Sequence, residues 1–165
     1  MQTSRLEIRF PTEKDRVHFV QLFSDEDFMV FSGGALDAND ANRRFDEMLR
    51  RVGELSFAKQ PVIELVTAEI IGYAGVDFFE FEGEQRLEFG YRLVQAARGR
   101  GYATEAGEAL LARAAQTFEG EIIAMIDPRN QPSHRVASKL GFRFWKQATA
   151  DGHVADLYRI WISQG

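Results

Sequence analysis

The sequence predicts an α/β protein, residues 1–165 forming one domain around a mixed sheet of about seven strands with about four helices. Three observations lead there. The chain has 165 residues, 45% of them hydrophobic, enough for one well-filled core. No polar, Pro/Gly/Ser-rich linker divides it. Its periodic segments run β-α-α-β-β-β-α-β-α-β-β, which is not the regular βαβ succession of a doubly wound dinucleotide fold.

Arg5 to Phe10 alternates strictly and reads as a half-buried strand. Thr12 is a helix N-cap with Asp15 at its third helical position, and Val17, Val20 and Phe23, with Phe19 adjacent, give that helix its apolar stripe. Ser24 to Leu36 reads as irregular, ending in Ser32-Gly33-Gly34. Asp37 then caps a second helix carrying Phe45, Met48, Leu49 and Val52.

From Pro61 the period changes. Val62–Thr67 and Ile70–Phe79 read as strands joined through Ala68-Glu69, and Glu80–Gln85, with Gly83, is the turn to the next. Arg86 to Val94 alternates again, with Leu87, Phe89, Tyr91 and Leu93 on one face and Glu88, Gly90 and Arg92 on the other. A glycine-rich turn opens a helix over 101–118, striped by Ala103, Ala106, Leu110, Ala114 and Phe118. Ile122–Ile126 is a short buried strand. Asp127-Pro128-Arg129-Asn130 lead into a helix through Leu140, with Gly141 as its C′ residue. Phe142–Gln147 and His153–Ile162 close the chain as strands around Asp151-Gly152, a type I′ hairpin signal.

Composition narrows the function. A net charge of -5 argues against a general nucleic-acid footprint, and fourteen Phe argue against disorder. Without cysteine there is no disulfide, thiolate nucleophile or cysteine-ligated zinc, which fits a reducing compartment. His18, His134 and His153 are scattered, in no metal-ligand spacing, so no metal is expected. Met1 to Glu7 has no apolar h-region, and no apolar run approaches the roughly 20 residues that cross a bilayer. A cytoplasmic protein with neither nucleic-acid nor membrane partners is the expectation.

The most informative segment is Arg98-Gly99-Arg100-Gly101-Tyr102-Ala103-Thr104, between a strand and a helix. A helix N-terminus offers unpaired N–H groups and partial positive charge. Gly99 and Gly101 permit a tight turn and close approach of a ligand, and two arginines add donors suited to phosphate. These features suit a diphosphate, and equally a plain strand-to-helix connection with solvated arginines. A P-loop would need a lysine that is absent, and a dinucleotide fingerprint would need Gly or Ala where Thr104 stands.

With Arg98, Gly101 and Ala103 at the defined places of Gln/Arg-x-x-Gly-x-Gly/Ala, the chain resembles the GNAT superfamily of acyl-CoA-dependent N-acyltransferases. Phe89-Gly90-Tyr91-Arg92-Leu93, the turn itself, and Asn130-Gln131-Pro132-Ser133 followed by Lys139-Leu140-Gly141-Phe142 are similar to the ribosomal-protein N-terminal acetyltransferase branch. So are Leu6-x-Ile8-Arg9 and Pro11-Thr12-x-x-Asp15, so that the resemblance covers nearly the whole chain.

The resemblance implies a mostly antiparallel sheet in which a splayed parallel strand pair forms a CoA cleft. It implies acetyl-CoA as acyl donor, with no metal, and an amine acceptor: a protein N-terminus or small amine. An antibiotic or polyamine acceptor, or a catalytically silent CoA-binding regulatory domain, are the alternatives. Cofactor contacts are expected from Leu93, Val94, Arg98, Gly99, Arg100, Gly101, Tyr102, Ala103, Thr104, Asn130 and Lys139. Glu88 is the expected base, with Asp77 and Glu80 as competitors. The family's usual tyrosine acid falls on Ala137, so Ser133 of Asn-x-x-Ser takes that role, with Tyr158 as substitute. The acidic and aromatic Ser24–Met29 segment would suit a cationic acceptor, and family members are often monomers or homodimers.

Overall fold

The computed structural model describes residues 1–150 and 152–164, apart from the Ala150 side chain. Strands β1 (Leu6–Ile8), β2 (Gln60–Glu64), β3 (Glu69–Phe81), β4 (Glu84–Leu93), β5 (Gly120–Ile126), β6 (Arg143–Ala150) and β7 (His153–Ile162) form one seven-stranded sheet in the order β1-β2-β3-β4-β5-β7-β6. Every neighbouring pair is antiparallel except β4 and β5. Five α-helices lie among the described residues: α1 (Arg16–Phe23), α2 (Glu26–Met29), α3 (Ala38–Arg51), α4 (Tyr102–Ala114) and α5 (Gln131–Lys139).

The alternation of β4 splits the molecule into two layers. Leu87, Phe89 and Leu93 bury against Ala103, Ala106 and Leu110 of α4, and against Leu140 and Phe142 after α5. On the opposite face Tyr73 packs with Phe19, Phe23, Phe28, Met29, Phe45 and Met48 from α1, α2 and α3. Each fully buried side chain of this size contributes about 1.5–3 kcal/mol, so both layers are held by apolar burial.

Local departures from the sequence reading have identifiable causes. Ahead of α1 is a 3-10 turn, Glu13–Asp15, in which the Asp15 carboxylate accepts hydrogen bonds from the Thr12 N–H at 2.8 Å and from Nη1 and Nη2 of Arg9. In α1, Phe19 and Phe23, spaced i and i+4, face the core while Val17 is 70% exposed. The stretch 24–36 is not wholly irregular, because Asp25 accepts the Phe28 N–H at 2.7 Å and caps α2. Strand β2 stops at Glu64; Leu65 and Val66 lie exposed in a turn closed by Ala68 at φ 58°. Strands β3 and β4 run to a tight turn at Glu82-Gly83, both with positive φ, the requirement of a type I′ hairpin. Helix α4 ends at Ala114, short of Phe118. Gly141 has φ 89° and ends α5 as expected. Asp151 lies outside the described residues, while its turn partner Gly152 has φ 78°. Among the described residues no helix is long and apolar enough to cross a membrane.

Candidate active site

Strands β4 and β5 pair only at Leu87↔Ile122 and Glu88↔Ile123, then part, although β4 runs on to Leu93 and β5 to Ile126. In the ladder with β3, the Val94 N–H donates to Ile71 O at 2.9 Å. Antiparallel alternation then turns the N–H and C=O groups of Tyr91 and Leu93 away from β3, into the gap. A cleft of about 1170 Å³ passes through this gap, from Asn130, Ser133 and Lys139 on one face to Phe28, Arg44 and Lys59 on the other. The parting of the sheet thus opens a passage between its two layers.

At one end lies the glycine turn. Gly99 and Gly101 adopt φ 72° and 82°, and Gly101 is the N-cap of α4. Among the described residues, the backbone N–H groups from Gly99 through Thr104 have no acceptor within the protein, whereas Arg98 N–H reaches Gln95 O and Glu105 N–H reaches Gly101 O. These donors, set on a helix of thirteen residues, form a concave array that fits a diphosphate. Gly99, Gly101, Tyr102, Ala103 and Thr104 all line the cleft.

The arginines of the turn serve different ends. Arg98 lines the cleft, its Nε donating to Leu93 O at 3.0 Å and its Nη2 lying 2.8 Å from Asp27 Oδ2. Arg100 points away, to Glu64 at 2.9 Å and over the Tyr102 ring. The buried Tyr102 hydroxyl donates to the same carboxylate; Tyr102, with Thr67 and Arg100, holds Glu64 below the usual carboxylate range. Arg5 closes this support, joined to Glu105 at 2.7 Å and donating to Arg100 O at 2.8 Å. Of the expected cofactor residues, Val94 does not line the cleft; its C=O accepts the Ala97 N–H and its N–H is engaged by β3.

On the α5 side, Asn130 caps the helix by accepting the Ser133 N–H. Ser133 Oγ lies 3.0 Å from Tyr91 Oη, within hydrogen-bond distance. Burial raises the Tyr91 pKa, against the opposing effect of Ser133, and keeps the phenol protonated. Ala137 is buried and lines the cleft. Lys139 is exposed at the rim. Tyr158 is turned instead toward His134, 3.0 Å from Nδ1.

On the other face Glu88 lines the cleft where the parallel ladder ends, 3.3 Å from Lys59 Nζ. Burial opposes the Lys59 charge, but Glu88, with Tyr73 and Asp77, outweighs it and raises the lysine pKa. Lys59 gets there because Gly75 lets a neighbouring segment cross β3: a Cβ at Gly75 would stand 2.3 Å from Ala58 O. Asp77 lies across the ladder from Glu88, but its Oδ1 already takes the Phe78 N–H and Arg51. Glu80 does not line the cleft.

Lys59, Arg44 and the Tyr91 hydroxyl therefore belong to the site although nothing local in the sequence marks them. The first two arrive from distant segments, and Tyr91 reads as one more apolar position of an alternating strand. Among the described residues there is no grouping of three or more His, Asp or Glu able to hold a metal ion.

A family model described as acetyltransferase (GNAT) domain matches residues 5–143. The chain is 29% identical over 155 residues to the uncharacterized N-acetyltransferase YnaD of Bacillus subtilis, covering 92% of this chain and 88% of that protein. A putative GnaT-family acetyltransferase from Bordetella pertussis superposes with a TM-score of 0.84 at 24% identity, covering 96% of this chain and 97% of the other. The ribosomal-protein-S5-alanine acetyltransferase of Vibrio fischeri superposes at 0.77 with 18% identity, covering 98% and 96% of the two chains. At these identities the structural likeness speaks for the fold.

Proposed function

Because the chain belongs to the GNAT family of acetyltransferases, we propose that it moves an acetyl group from acetyl-CoA to a primary amine by direct attack in a ternary complex. The observation that carries this reading is the run of unpaired backbone N–H groups from Gly99 through Thr104, at the mouth of a cleft that parts the sheet. Those groups would hold the diphosphate, with Asn130 and Lys139 along the α5 wall. When bound, acetyl-CoA supplies a thioester already activated toward amines.

The residues of the gap divide the remaining work. The N–H groups of Tyr91 and Leu93, turned from β3, are the donors available to stabilise negative charge on a carbonyl oxygen placed between the strands. Glu88 takes the proton from the acceptor ammonium, directly or through one water. It is favoured over Asp77 because it lies where the parallel ladder ends and its contact, to Lys59 at 3.3 Å, is longer than those of Asp77 to the Phe78 N–H and Arg51. The Ser133–Tyr91 hydroxyl pair, on the opposite face of β4, returns a proton to the departing sulfur. It stands in the layer where Ala137 leaves no hydroxyl of its own. No covalent intermediate on the protein is needed, which agrees with a chain lacking cysteine.

The experiment is thiol release from acetyl-CoA across peptides beginning Ala, Ser, Met or Thr, small amines, polyamines and aminoglycosides. Amine-dependent release supports transfer. Tight acetyl-CoA binding with silence across the panel would instead favour a CoA-binding regulatory domain.

A further inference from the structure

The acceptor side of the cleft carries more positive charge than its carboxylates neutralise. On this face of β3 and β4 the rungs are Tyr73↔Arg92, Gly75↔Gly90 and Asp77↔Glu88. Of the middle rung, Gly75 is covered by the Ala58–Lys59 backbone, while Gly90 lines the cavity between the two polar rungs. A Cβ at Gly90 would stand 3.4 Å from Glu88 Oε1 and 3.5 Å from Lys59 Cε. Arg44 reaches the same cavity from α3.

The pairings can be followed one by one. Lys59 is matched by Glu88 at 3.3 Å, and Asp77 by Arg51 at 2.9 Å. Among the described residues, neither Arg44 nor Arg92 has a carboxylate within 4.0 Å. Arg92 Nε is buried without a hydrogen-bond partner, and its Nη1 reaches two uncharged acceptors, Phe28 O at 3.4 Å and Met29 Sδ at 3.4 Å. Arg44 lies over the Phe23 ring at 5.2 Å. Both guanidinium groups are partly buried, and an unpaired cation there costs free energy unless a ligand answers it. The surroundings register the same surplus. Burial tends to raise the Tyr73 pKa, yet Arg92, Arg44 and Lys59 together pull it below its ordinary value.

We infer that the acceptor is a small amine that also carries an anionic group, its ammonium drawn to Glu88 and its carboxylate or phosphate ester to Arg44 and Arg92. The inference rests on the acetyl-transfer reading and narrows it. A polyamine or aminoglycoside brings only positive charge to this cavity, and two unneutralised guanidinium groups would repel it. An amino acid or a phosphorylated amine brings the charge the site lacks, and a charge-assisted pair with arginine supplies orientation as well as affinity. The acidic Ser24–Asp27 stretch does not offset these cations: Asp25 caps α2, Asp27 is held by Arg98, and neither they nor Glu26 line the cleft.

The test uses matched acceptors at saturating acetyl-CoA with thiol release as readout: free amino acids against their amides, and phosphoethanolamine against ethanolamine, with spermidine as the polycation. The anionic member of at least one pair should be preferred by about tenfold or more in kcat/KM, the factor of about 1.4 kcal/mol expected of one charged contact. The winning arm distinguishes carboxylate from phosphate. Arg44→Gln should lower that preference by a similar factor, mainly through KM, with acetyl-CoA affinity retained by calorimetry; Arg92→Gln should do the same if it folds. Equal or faster turnover of the neutral amines or spermidine overturns the inference and leaves acetyl transfer standing. Failure of any anionic amine to react, or an unchanged preference in Arg44→Gln, also overturns it. Absence of acetyl-CoA binding would defeat both readings together.

Discussion

Arg98 joins Asp27: the guanidinium Nη2 lies 2.8 Å from the carboxylate Oδ2, while Nε of the same side chain reaches Leu93 O at 3.0 Å. One side chain thereby ties α2, which walls the acceptor side, to the end of β4 and to the glycine turn. Arg98→Ala is expected to raise the acetyl-CoA Kd about tenfold, about 1.4 kcal/mol, by loosening that junction. It should barely move the melting temperature, because both partners are about half exposed, at 41% and 52%, and such a pair contributes under about 1 kcal/mol. Calorimetric titration and a thermal melt on one sample check both halves.

Gly101 should respond in a graded way. Its φ of 82° is costly for any residue with a Cβ, about 1–2 kcal/mol, so Gly101→Ala should lower the melting temperature by several degrees. Gly101→Glu adds charge beside the donor array and should abolish acetyl-CoA binding. Unchanged affinity in that variant would mean the turn is not the diphosphate site.

Glu88 and Asp77 face each other across the ladder, which makes a paired comparison informative. Glu88→Gln is expected to cut kcat/KM by about 100- to 10,000-fold while sparing acetyl-CoA affinity. Asp77→Asn should do less to turnover and more to stability, since Asp77 pairs with Arg51 at 2.9 Å. The reverse ranking would move the base to Asp77.

The acid limb of stability should lean on Asp15. Burial works to raise its pKa, but hydrogen bonds from Arg9 and Thr12 outweigh burial and hold it below the ordinary value. A carboxyl depressed in the folded state contributes stability that is full above its unfolded pKa, about 3.9, and is lost as pH falls through the folded value. Urea melts should therefore change little in this respect above about pH 5 and weaken below about pH 4. Asp15→Asn should cost about 1.5–3 kcal/mol at neutral pH and flatten that acid decline. An equally steep decline in the variant would assign it to other carboxylates, such as Glu105, which burial opposes but Thr3 and Arg5 hold low.

What could be read from the sequence was what local chemistry determines. The alternation of Leu87, Phe89, Tyr91 and Leu93 gave β4 and its two faces, Asp37 marked the start of α3, and Gly99 and Gly101 marked the turn. Helix α2 escaped because four residues are too few to show a helical period. The inward face of α1 is that of Phe19 and Phe23, an i, i+4 pair that the sequence carries, and a stripe drawn through Val17 instead misses it. The acceptor side was the least legible. Lys59 meets Glu88 only because Gly75 admits a crossing segment, and Arg44 comes from α3, so their meeting is a property of topology. In the acidic stretch, Asp25 caps α2 and Asp27 holds Arg98, uses that its composition does not announce.

The central claim is that the Gly99–Thr104 donors and the gap beyond them hold acetyl-CoA, and a comparative thermal melt tests it most directly. At about 100 times its Kd, acetyl-CoA should stabilise the protein by about 2.7 kcal/mol, a rise of roughly 5–10 °C for a chain of this size. NADH and ATP at the same concentration should leave the melt unmoved, and Gly101→Glu should erase the acetyl-CoA shift. No shift at millimolar acetyl-CoA, or an equal shift with NADH, would contradict the account.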